Sequence, residues 1–327
     1  MRRLWALLSV GLLVVACGEP PANAGEVGAL STAGGAPVLR AQPGAENTAQ
    51  EAPFSADPED WRILQATVER AWAEGFDTLS IGENIVGIAR WFVGVPYTPK
   101  TLDPPGSERL VVNLREFDCV TLVESVLALT HFTRTAPRDI FTEPELAQAR
   151  YRELLARVRY RGGFTGDYPD RLHYFSEWLT DNDLRGTITI MTEELGGVVD
   201  SEMIDFMTTH SDAYAQLADA EVLATIGRVE DRLNTRPRFF IPQNDIADRA
   251  AGIRNGDVIA ATSTVAGLDI AHTGIALWVD GELHLLHAPL VGSVVQISER
   301  PLGERIQGFS GQDGIMVGRP LEPARNG

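Results

Sequence analysis

The feature that most constrains the fold is a change of period near Pro242: apolar residues recur at helical spacing before it and alternate in twos after it. Upstream, Trp61, Leu64, Val68 and Trp72 fall three or four apart and predict a helix over 59–74. Ile85, Ile88 and Phe92 do the same over 83–92, closed by Gly94 and Pro96. Helical patterns also cover 118–132, 143–158, 174–184 and 220–233, with a short alternating stretch at 187–191 read as a strand. The segment around Pro99, Pro104, Pro105 and Gly106 is irregular. Downstream, Arg254-Asn255-Gly256-Asp257 reads as a turn before a strand at 258–261. Two β-rich runs, 272–279 and 282–287, meet at Asp280-Gly281, a strong hairpin signal, and 294–298 and 314–318 add strands. Helices first and a mostly antiparallel sheet second define an α+β fold.

The N-terminus carries different information. Arg2 and Arg3 precede an apolar run from Leu4 to Ala16, shorter than the roughly 20 residues a membrane-spanning helix needs. Residues 1–16 are therefore expected to be an export signal. Its end, Val14-Val15-Ala16-Cys17, resembles the bacterial lipoprotein signal box, which implies lipid on Cys17; an ordinary secretory signal is the plainer alternative. Gly18 after Cys17, rather than Asp, implies the outer membrane, facing the periplasm, in a Gram-negative cell. Residues 17–55 lack any apolar period and read as a flexible linker, leaving 56–322 as one domain with helical insertions at about 143–235. The formal charge of -17 repels polyphosphates, so nucleic acid is not expected as a partner.

The chain has only two cysteines. With lipid on Cys17, Cys119 would have no intramolecular partner, and a lone thiol in an exported protein is either inertly buried or chemically used. Its setting, Arg115-Glu116-Phe117-Asp118-Cys119, suits use, while the apolar helix behind it equally allows one more small core residue. Asp118 is a good N-cap, which puts Cys119 in the first helical turn, where backbone N–H groups and the dipole favour a thiolate and lie close to a developing oxyanion. Glu124 sits on an otherwise apolar helix and must find a partner or an opening to solvent, a structural hydrogen-bonding role being preferred over catalysis; Arg115 is a candidate for substrate carboxylates. A cysteine nucleophile needs an imidazole base, and three of the six histidines, His272, His284 and His287, fall on the hairpin. His284 and His287 are three apart and point to opposite faces, so only one can join His272. A zinc site built from Cys119 and two histidines is the metal alternative, but the chain lacks the usual ligand spacings; no metal or cofactor is expected.

Phe92-Val93-Gly94-Val95-Pro96-Tyr97, the Cys119 helix, His272-Thr273-Gly274-Ile275 and Leu286-His287-Ala288 together resemble the NlpC/P60 papain-like cell-wall hydrolases. Among these the chain is most similar to the branch formerly called DUF1460, N-acetylmuramoyl-L-alanine amidase-like. The resemblance implies a papain-like core, with a nucleophile helix packed on the sheet, and a peptidoglycan or muropeptide substrate. It further implies Cys119 as nucleophile, His272 as base, His287 (alternatively His284) as the orienting residue, and Tyr97 beside the scissile group. The expected reaction is cleavage of the N-acetylmuramoyl–L-alanine amide. The alternatives are a γ-D-glutamyl–diamino acid endopeptidase of the same superfamily and an inactive wall-binding lipoprotein.

Overall fold

The computed structural model describes residues 54–323; the expected signal, Cys17 and nearly all of the linker lie outside them. The order is β1 (Phe54–Ser55), α1 (Pro58–Ala73), α2 (Ile81–Trp91), β2 (Leu110–Val111), α3 (Cys119–Thr135) and α4 (Pro144–Arg159). There follow α5 (Phe175–Leu184), β3 (Ile188–Ile190), β4 (Val198–Asp200), α6 (Phe206–Thr209), α7 (Ala220–Asn234), β5 (Arg238–Pro242) and α8 (Ile246–Arg249). The chain closes with β6 (Val258–Ser263), β7 (Ile270–Val279), β8 (Glu282–His287), β9 (Gln296–Ile297), α9 (Leu302–Gln307) and β10 (Gln312–Pro320). The main sheet has eight strands in the order β4-β5-β10-β6-β7-β8-β9, with β3 also on β10, and its pairings are antiparallel. The α+β reading therefore holds. The 143–235 region is not purely helical, because β3 and β4 leave it to extend the sheet.

The helix α3 is the centre of one layer. Asp118 caps it by accepting from the amides of Val120 (3.0 Å) and Thr121 (2.8 Å), and Thr121 Oγ1 accepts from the Asp118 amide in return. From Thr121 to Thr133 every residue is buried, so the helix is held on all sides, each large apolar side chain contributing about 1.5–3 kcal/mol. It packs on the sheet face formed by Val258, Ala260, Ile275, Leu277 and Leu286. The other face, with Ile259, Ala261, Ala276, Leu285 and Ile315, is covered by α8 and α9 through Ile246, Leu302 and Ile306. Strand alternation thus decides which layer each residue of β7 and β8 joins.

Burial of α3 has a consequence for acid stability. His131 is 4% exposed, and burial, with Arg157, Arg134 and Arg150 nearby, lowers its pKa to about 4. Below its ordinary value near 6.5 the unfolded chain takes up a proton that the folded chain refuses, so stability falls as pH drops from about 6.5 to about 4. The loss is on the order of 3 kcal/mol. Urea midpoints should fall across this window in wild type and fall less in His131→Gln; equal slopes would remove His131 as the cause.

Candidate active site

Phe117 and Cys119 stand at a junction of three segments. The Gly94-Val95-Pro96-Tyr97 stretch is threaded between them and the loop after β8: the Tyr97 amide donates to Ser293 O (2.8 Å), Phe117 N to Pro96 O (3.0 Å) and Thr98 N to Phe117 O (3.0 Å). Gly94 takes φ +92, a left-handed conformation that suits glycine. Tyr97 is thereby fixed beside Asp118. Its hydroxyl is buried with no hydrogen-bond partner among the described residues, and burial together with the Asp118 carboxylate raises its pKa above the ordinary tyrosine value. Asp118 is itself buried, and desolvation raises its pKa despite the amides it accepts from.

The third segment is β7. Thr273 Oγ1 donates to the carbonyl of Cys119 at 2.7 Å, tying the first residue of α3 to the strand. His272 directly precedes Thr273, and its Nε2 lies 2.8 Å from Nδ1 of His287 on β8, with the two rings edge to face. Gly274 permits this approach of β8, because a Cβ there would meet the Leu285 side chain and Leu286 O at 2.8 Å. His272 pairs across β6 with Ala261 and His287 follows the parity of Leu285, so both histidines belong to the α9 face while Thr273 faces α3. The register shift between Ala261 and Thr262 makes Ala271 an extra residue, a bulge at this end of β7. An imidazole serving Cys119 must therefore reach it around the bulged strand end rather than through the helix–sheet interface.

With Cys119 held in its disulfide, electrostatics keep the histidine pair neutral. Burial first, then His287 and Arg305, hold His272 well below the usual imidazole range, and burial with Arg305 lowers His287 to about 3. With both rings neutral, a His272 Nε2–H donated to His287 leaves the basic lone pair on His272 Nδ1. Arg305, on α9, was not legible as part of the site from sequence, since a short helix after Pro301 gives no sign of what it packs on. Thr273 was likewise missed, although its place between His272 and Gly274 was visible.

Other predicted residues fall elsewhere. His284 lies opposite Leu277, on the face away from His287, and its Nδ1 bonds to Ser298 O (2.8 Å); His287 is therefore the partner of His272. Arg115 donates from Nε to Asp60 on α1 (3.1 Å), and its side chain stays 42% exposed. Glu124 forms a buried ion pair with Arg159 at 2.6 Å, and Arg159 also donates to Val111 O. The expectation that first-turn amides serve the sulfur needs correction: Asp118 takes those of Val120 and Thr121 through its side chain and that of Leu122 through its carbonyl. Cys119 is 1% exposed and disulfide-bonded in this structure, against the expectation of an unpartnered sulfur; Cys17 lies outside the described residues. Thiol chemistry belongs to the reduced chain. No group of three or more His, Cys, Asp or Glu side chains among the described residues is placed to hold a metal ion.

Thr273→Val keeps the shape and removes the bond to Cys119. Turnover is expected to fall about tenfold or more with little change in KM, and Thr273→Ser to restore most of it. An unaltered turnover in the valine variant would show that the bond does not position the nucleophile.

The N-acetylmuramoyl-L-alanine amidase-like (AmiA-like) family model matches residues 87–311, spanning α3 and the whole histidine hairpin. The chain belongs to this family. Among solved structures, an N-acetylmuramoyl-L-alanine amidase from Bacteroides uniformis is 32% identical, with 74% of this chain and 99% of that one covered and a TM-score of 0.68. A Bacteroides fragilis protein provisionally named a xylanase is 31% identical over 71% of this chain and 98% of its own, with a TM-score of 0.64. A Legionella pneumophila protein of the DUF1460 family, 20% identical with a TM-score of 0.60, shares the fold, covering 81% of this chain and 96% of that one. No curated protein matches the chain.

Proposed function

We propose that the chain is a cysteine-dependent amidase that cleaves the N-acetylmuramoyl–L-alanine bond of peptidoglycan, with Cys119 as nucleophile and His272 as base on a papain-like core. The observation that carries this reading is the pair of contacts at one end of β7, Thr273 to Cys119 O at 2.7 Å and His272 to His287 at 2.8 Å. In the reaction, His272 Nδ1 takes the Sγ proton and the sulfur attacks the lactyl carbonyl carbon. The Cys119 amide and the Tyr97 hydroxyl hold the oxyanion, at the positive end of α3. The imidazolium then protonates the departing L-alanine nitrogen, and water releases the muramic acid carboxylate and the thiol. His287 holds the base in the right tautomer and orientation.

A glycosidase reading, prompted by the Bacteroides fragilis relative, would need two carboxyl groups flanking the bond. Asp118 is spent on the helix cap and Glu124 on Arg159, so the amide reading is preferred. Mass analysis of muropeptides digested with the reduced Cys17→Ser protein tests the assignment. Peptides beginning with a free L-alanine amine are expected; sugar still bearing L-Ala-D-Glu would instead identify the γ-D-glutamyl endopeptidase.

The same reading extends to the N-terminus. Residues 1–16 direct export, and in the reduced chain Cys17 carries lipid that holds the enzyme on the outer membrane, facing the periplasm. No helix among the described residues is long and apolar enough to cross a membrane. Labelled fatty acid should enter the wild-type chain and not Cys17→Ala; equal labelling would remove the anchor.

A further inference from the structure

Among the described residues three arginines are buried, Arg159, Arg171 and Arg305, and the first two stand against carboxylates. Arg305, on α9 and 8% exposed, does not. Its guanidinium donates from Nη1 to Gln312 Oε1 at 3.3 Å and lies 4.9 Å from the centroid of the Phe309 ring, both neutral partners. Burial draws its pKa down to about 10, which leaves it a cation at neutral pH. A buried charge with no counter-ion weakens a fold, so this one calls for a use.

Gln312 fixes where that charge stands. It pairs with Ser263 of β6, and two residues earlier on that strand Ala261 pairs with His272 on the other side. Ser263 and Ala261 point to one face, the face covered by α9, so Arg305 is held at the end of the sheet that carries His272 and His287. The field of the guanidinium accordingly reaches both rings. The other charged groups of the surrounding elements are turned to other tasks. From α3 come Cys119 and Asp118, and Asp118 is spent on the helix cap. On β10, Asp313 bonds to Thr262 Oγ1 (2.5 Å), and on β8, His284 faces away and bonds to Ser298 O. Glu282, Glu299, Arg300 and Glu304 are exposed, and β6 and β9 carry no titratable side chain. We propose that Arg305 is a positioning residue of this site, its unneutralised charge holding the His272–His287 pair unprotonated so that the base stays available below neutral pH. The proposal rests on His272 being the base for Cys119, since a protonated imidazole has no lone pair with which to take the Sγ proton. The same charge makes the imidazolium formed in turnover a readier proton donor to the departing nitrogen.

The test uses reduced Cys17→Ser protein as the parent and two further changes in it. Arg305→Met removes the charge, and Gln312→Glu sets a carboxylate against it while keeping the guanidinium in place. Imidazole NMR titration should show the pair taking up its first proton at least about one pH unit higher in both variants than in the parent. The acid limb of kcat/KM on muropeptides should move up by the same interval, so that the loss relative to the parent grows to about tenfold down that limb. A merely structural arginine would give a loss equal at every pH in Arg305→Met and none in Gln312→Glu. Unshifted imidazole titrations in the variants, or losses independent of pH, overturn the proposal. If Arg305→Met does not fold, Gln312→Glu alone gives the same reading. If the parent cleaves no muropeptide, the amidase reading has failed instead, and the NMR titration decides whether Arg305 governs the pair.

Discussion

Cys119→Ser is expected to lower amide hydrolysis by at least about 10³-fold while leaving the fold intact. The side chain is 1% exposed at the end of a helix that is buried from Thr121 to Thr133, and serine is nearly isosteric there, so stability should change by less than about 1 kcal/mol. What is lost is nucleophilicity, since a hydroxyl does not ionise near neutral pH and the neutral His272 is a weak base for it. Comparison with the reduced Cys17→Ser parent keeps the number of other cysteines the same. Residual activity within tenfold of the parent would take Cys119 out of the mechanism.

Glu124→Ala should cost about 3–5 kcal/mol, because it removes the carboxylate that Arg159, 2% exposed, is bonded to and leaves the Val111 carbonyl as its acceptor among the described residues, with Asp118 and Glu108 acting on it from farther off. The double change Glu124→Leu with Arg159→Met removes both charges and should recover most of that loss, since an apolar pair of similar size avoids the desolvation cost. Urea denaturation of the single and double variants reads this directly. A single variant within 1 kcal/mol of wild type would mean that water or another anion replaces Glu124. The pair also lies close enough to Asp118 for Arg159 to lower its pKa, so the single variant should disturb the cap of the nucleophile helix as well.

Periodicity located the elements whose burial is one-sided or complete. The Cys119 helix, the helices at 144–159 and 220–234 and the Asp280-Gly281 hairpin fall within a few residues of the expected ranges. Local chemistry fixed their ends: an Asp cap, a proline at N1, a glycine turn. The strand β5 was missed because Arg238-Phe239-Phe240-Ile241 does not alternate and ends on a proline, and β4 because three residues carry no period. Partnerships over long separations were not legible. Nothing near Glu124 names Arg159, 35 residues on, and nothing near Arg115 names Asp60, 55 residues back. The side of the sheet on which His272 sits depends on the bulge at Ala271, a register fact with no local signal. The site was therefore readable as a set of residue types in order, while its geometry required the fold.

The central claim is that the imidazole of His272 acts on the sulfur of Cys119. The most direct measurement is the rate of iodoacetamide alkylation against pH in reduced Cys17→Ser protein, where Cys119 is the only cysteine, with and without His272→Ala. The pair predicts at least a tenfold slower reaction near pH 6.5 in the alanine variant, and a profile displaced toward the ordinary thiol pKa of about 8.5. Superimposable profiles would mean that the histidine does not touch the sulfur, and the hydrolase built on the two would fall.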